Sequence, residues 1–192
     1  MKTKFLTLKQ LVKKIAKDNT KFAKMSKADK RIEIAQDCIV RIKQEQLIVE
    51  TGRVITYNAD WVNNESIMTE INDDSCDFEC TVCAKGALFM SYVGRVNDFN
   101  FVQIEDDTYH SSREIKKLLE IFTDKQLILI ETYFEGRQVV KEYKGNCFYF
   151  DDDVIDYAYN FELKTKSDTR LIMICENIIE NNGTFKPKLL KY

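Results

Sequence analysis

Leu8, Leu11, Val12 and Ile15 recur at i, i+3, i+4 and i+7, and Thr7-Leu8-Lys9-Gln10 has capping-box spacing. This pattern predicts an amphipathic helix over about residues 8–18. Ser26 is placed to cap a second helix, whose apolar face runs through Ala35, Cys38, Ile39 and Ile42 to Gln46, with Gly52 closing the segment. Arg53-Val54-Ile55-Thr56-Tyr57 is a short β-rich run. From Thr81 the pattern turns helical: Cys83, Ala84, Ala87, Leu88 and Ser91 share a face, and its small residues let another helix approach closely, which predicts a buried helix. Ser111-Ser112-Arg113-Glu114 is another capping box, followed by Ile115, Leu118, Leu119 and Phe122. Thr123-Asp124-Lys125-Gln126 is a further one, with Phe122 and Leu127 as a hydrophobic staple and Gly136 as the residue after the helix. Val139 to Phe150 alternates weakly, as a strand or hairpin does. Ser167 or Asp168 opens a last helix with the stripe Leu171, Ile174, Cys175, Ile178 and Ile179, stopped by Asn182-Gly183 before Pro187.

Several capped helices with one or two short strands, and no repeated strand-helix alternation, predict a mainly α fold, a compact helical domain carrying an N-terminal amphipathic helix. One proline and six glycines leave few forced breaks. The 192 residues suit one domain, 26–192, preceded by a basic extension, 1–25. No run approaches the roughly 18 consecutive apolar residues of a membrane span, and the N-terminus lacks the apolar core of a secretory signal. The expectation is a soluble, cytoplasmic protein with no membrane partner.

The net charge of −2 hides an asymmetry. Residues 1–31 hold eleven Lys or Arg against Asp18 and Asp29, a local charge of +9, which leaves −11 for the remainder. Asp60 to Cys80, read as a loop with helical pieces, has seven acids and no Lys or Arg. Such a body repels nucleic acid, so any phosphate contact falls to the basic head, with Lys9, Lys13, Lys14 and Lys17 on its helix. Asp73, Asp74 and Asp77 are the corresponding candidates for a basic protein partner.

Six cysteines without an export signal read as thiols, and Cys38 and Cys175 fall at apolar helical positions. Cys76-x3-Cys80-x2-Cys83 has the short-loop spacing of half a zinc site. The second half is missing: His110 is the only histidine, and a fourth ligand would have to be His110, Cys38, Cys147 or Cys175 arriving from afar. Two cysteines facing the core at a helix start is the favoured reading, with Cys76, Cys80, Cys83 and His110 as weak zinc ligands. A redox Cys-x2-Cys belongs in a strand-helix unit, which the pattern does not reveal here. His110 beside Ser111 and Ser112 lacks a nucleophile elbow, and capping explains the serines. Asp151, Asp152, Asp153 and Asp156 lack the grammar of a calcium loop and read as a solvated helix start. No catalytic or cofactor-binding residue is nominated.

The run Cys80-Thr81-Val82-Cys83-Ala84-Lys85-Gly86-Ala87-Leu88-Phe89 resembles the Cys-x-Val-Cys-Ala-x-Gly-Ala helix motif of a family of small proteins of tailed bacteriophages and prophages to which no activity is assigned. Two more stretches resemble it. Arg31-Ile32-Glu33-Ile34-Ala35-Gln36-Asp37-Cys38-Ile39 is similar to the family's leading helix, before a segment ending in Thr51-Gly52, and Arg170 to Pro187 is similar to its closing helix and tail. The chain departs from the family by its basic extension before Ser26. The resemblance implies a setting, a phage accessory gene acting inside a bacterium, and carries over no catalytic residue.

The expected function is therefore non-catalytic binding of a host or phage macromolecule, of the host-takeover or anti-defence type, with a protein as partner. The competing expectation is a nucleic-acid-binding or virion-associated module using the basic N-terminal segment. For the docking of that segment, packing on the acidic body is the default and self-association an alternative; an enzyme is the third function class.

Overall fold

A computed structural model describes residues 20–52, 55–57, 80–96, 118–139, 142–143 and 146–190. Within them the protein is mainly helical. Helix α1 spans Lys27–Lys43, the strands β1 and β2 span Ile48–Val49 and Ile55–Tyr57, and β3 (Cys80–Val82) leads into α2 (Ala84–Val96). Then come α3 (Asp124–Glu135), the hairpin strands β4 (Glu142–Tyr143) and β5 (Asn146–Cys147), α4 (Asp152–Lys164), α5 (Ser167–Glu180) and a final 3-10 turn, Pro187–Leu189. No described helix is long and apolar enough to cross a membrane. The amphipathic helix expected over 8–18 and the acidic stretch 60–79 lie outside the described residues, as does most of the helix expected after Ser111.

Local signals place the helix ends. Ser26 accepts from the Asp29 amide at 3.1 Å, so one of the first unpaired N–H groups of α1 is satisfied by its cap. At α3 the Thr123 hydroxyl accepts from the Gln126 amide at 3.2 Å while the Gln126 side chain accepts from the Thr123 amide, a complete capping box. Gly136 ends α3 in the left-handed region at φ 65°. Helix α1 stops at Lys43 and not at Gln46: the Gln44 amide closes the last turn, and Glu45 turns left-handed at φ 59°.

β3 is central in a small sheet of order β1-β3-β2, parallel to β1 (Ile48 opposite Thr81) and antiparallel to β2 (Thr56 opposite Thr81). The strand-helix unit that periodicity did not reveal is thus present, because three residues of β3 are too few to show alternation. The core lies between α1 and α5, which form the most extensive helix pairing described, and α2 and α3, which close it from the other side. Ile34, Ala35, Cys38, Leu88, Phe134, Leu171, Ile174 and Cys175 are all fully buried. Phe22, inside the segment assigned to the head, is also buried, its ring centroid 6.2 Å from that of Tyr92.

Candidate functional site

The cysteine helix carries its chemistry inward. Cys83 immediately precedes α2 and is buried in the core. Two residues on, Lys85 is 1% exposed, and its Nζ lies 2.9 Å from Oε1 of Glu131, which α3 holds 5% exposed. Two opposite charges so placed satisfy each other in a medium where either alone would be very costly. Burial pushes the Cys83 thiol up from 9.0 to about 11, with the Glu131 carboxylate adding to the rise and Lys85 and the Gly86 amide opposing it. A thiol at a helix start is ordinarily activated; here desolvation wins, so Cys83 is held as a neutral thiol.

Cys38 and Cys175 meet between α1 and α5 as free, fully buried thiols. The hydrogen bond between them, and then burial, raise the Cys175 pKa well above its ordinary value. Of the residues considered as zinc ligands, Cys83 lies in the core and Cys80 is placed as a residue of β3. Cys76 and His110 lie outside the described residues, as do Lys9, Lys13, Lys14, Lys17, Asp73, Asp74 and Asp77. Among the described residues no three His, Cys, Asp or Glu side chains are grouped to hold a metal.

Two surface features stand out among the described residues. An open groove of about 670 Å³ lies between the end of α1, β1 and the start of α5, lined by Ile48, Val49, Lys43, Glu45, Lys166 and Asp168 among others. Its cations and carboxylates balance, and Asp168 already accepts from the Thr169 amide at 2.6 Å.

The other is helix α4. Its inner face buries Ala158 and Phe161 and packs Val154 and Tyr157 on the core, with the Tyr157 ring 6.1 Å from that of Tyr133. Its outer face exposes Asp152, Asp153 and Asp156, preceded by exposed Asp151, and also Tyr159 at 53% and Leu163 at 61%. Tyr149, just before the helix, is 72% exposed. None of these four aspartates forms an ion pair with a described residue, and the Asp151 carboxylate makes no cap bond. The solvated helix start expected from the acids is therefore present. The sequence does not single out the apolar continuation of the same face, because Tyr159 and Leu163 at i and i+4 compete with a second apolar stripe on the same helix.

The chain matches no known protein-family pattern, no curated protein and no solved structure.

Proposed function

We propose that the chain is a non-catalytic binding protein that engages a basic face on another protein, as an accessory protein of a bacteriophage or prophage acting in the host cytoplasm. The phage setting rests on the resemblance of the Cys80 to Phe89 run and its two companion stretches. The observation that carries the binding reading is the row of exposed carboxylates from Asp151 to Asp156, which no described cation neutralises. Unneutralised charge of one sign raises the local concentration of oppositely charged partners and speeds their encounter. A sealed thiol and a sealed ion pair under the cysteine helix accord with a structural role for that motif.

The test is retention of the full chain on immobilised poly-lysine and on immobilised heparin at low salt. Binding to poly-lysine, weakened by the triple change Asp152→Asn, Asp153→Asn and Asp156→Asn, is the expected result. Retention on heparin alone would transfer the function to the basic N-terminal segment.

A further inference from the structure

We infer that the outer face of α4 is a docking surface for a basic amphipathic helix of a partner protein. This inference rests on the binding reading above and gives it a place and a partner chemistry.

Asp152, Asp156, Tyr159 and Leu163 follow one another at i, i+4, i+7 and i+11, so on a helix of 3.6 residues per turn they fall within about 60° of arc. They form one outward line roughly 16 Å long, acidic in its first half and apolar in its second. The apolar half consists of a tyrosine and a leucine, each more than half exposed, whereas most other large apolar side chains among the described residues are buried. Aromatic and aliphatic side chains placed this way act as anchors when a partner desolvates them. The acidic half supplies carboxylates that no described residue uses. The complementary surface therefore needs an apolar stripe with lysine or arginine beside it, which is the composition of a basic amphipathic helix.

The α4 helix of a second copy is a poorer occupant. Antiparallel pairing of two α4 helices about the middle of the line sets Asp152 against Leu163 and Asp156 against Tyr159, burying carboxylates on apolar side chains. Parallel pairing sets Asp152 against Asp152. Both arrangements are unfavourable.

The experiment titrates the full chain with a synthetic 15-residue peptide of leucine and lysine, its leucines at helical stripe spacing, and with a scrambled peptide of identical composition. The striped peptide is expected to bind roughly tenfold or more tightly than the scrambled one, since only it presents an apolar face. The double change Tyr159→Ala and Leu163→Ala should abolish that preference while leaving poly-lysine retention intact. Asp152→Asn with Asp156→Asn should weaken both peptides and flatten their salt dependence. All four positions are exposed, and circular dichroism of each variant confirms the fold. Equal binding of the two peptides, binding of neither, or a preference that survives the Tyr159 and Leu163 changes would overturn the inference. So would a dimer in sedimentation that those changes dissolve. Loss of poly-lysine retention by the unaltered chain would instead overturn the binding reading itself.

Discussion

Lys85 and Glu131, 46 residues apart in the chain, meet at 2.9 Å in the interior with less than a tenth of either side chain exposed. The pair ties the first turn of α2 to the middle of α3. Removing one partner leaves the other charged and buried, whereas removing both leaves only a packing problem. Lys85→Met alone is therefore expected to cost about 3 to 5 kcal/mol, and Lys85→Met with Glu131→Leu markedly less. Urea unfolding of the two variants checks the ordering. A double variant as unstable as the single one would show that the pair contributes more than mutual neutralisation.

The thiol beside that pair makes stability depend on alkaline pH. Its folded pKa of about 11 lies above the 9.0 of a free thiol, so between those values the unfolded chain releases a proton that the folded chain keeps. The stabilisation is complete below pH 9 and is lost as pH rises through 11, an effect approaching about 2 to 3 kcal/mol at the upper end. Cys83→Ala removes this loss, so the difference in stability between wild type and variant should narrow between pH 8 and pH 11. A constant difference across that range would mean that Cys83 is not desolvated.

Gly183 ends α5 at φ 77°, and a Cβ there would sit 2.5 Å from the Ala28 carbonyl oxygen. That oxygen belongs to the first turn of α1 and has little freedom to retreat. The Gly183 carbonyl in turn accepts from Arg31, whose Nη1 donates to the Ile121 carbonyl at 2.6 Å, so one glycine joins α1, α5 and the approach to α3. Gly183→Ala should cost more than the roughly 1 to 2 kcal/mol of a left-handed residue alone. A melting temperature equal to wild type would place the α1–α5 contact elsewhere.

Leu88 is fully buried on the face that Cys83, Ala84 and Ala87 predict from the sequence. Leu88→Ala should destabilise by about 2 to 5 kcal/mol in chemical unfolding. An unchanged midpoint would mean that α2 packs on a different face.

Signals confined to four or five residues were legible in the sequence. The Ser26 cap, the Thr123 box with Gly136 and the Asn182-Gly183 stop each depend on a hydrogen bond or a dihedral angle set by neighbours, and each recurs in the fold. Pairings across the chain were not legible. Nothing near Lys85 names Glu131, and two-residue β1 carries no alternation to mark it as the parallel neighbour of β3. Helix α4 shows why the candidate surface was read only in part. Val154, Tyr157, Ala158 and Phe161 repeat at helical spacing on its inner side, while Ile155, Tyr159 and Leu163 repeat on its outer side. Two apolar stripes on one helix give no sequence-level rule for which one faces water, so packing on α3 decides it.

The most direct measurement is a hydrogen-exchange footprint of the full chain during titration with the striped leucine-lysine peptide. Side-chain docking on the outer face should slow exchange in residues 152–164 while the groove residues 42–49 and 166–168 stay unchanged. Slowed exchange in the groove, with none in α4, would contradict the assignment of that helix as the binding face.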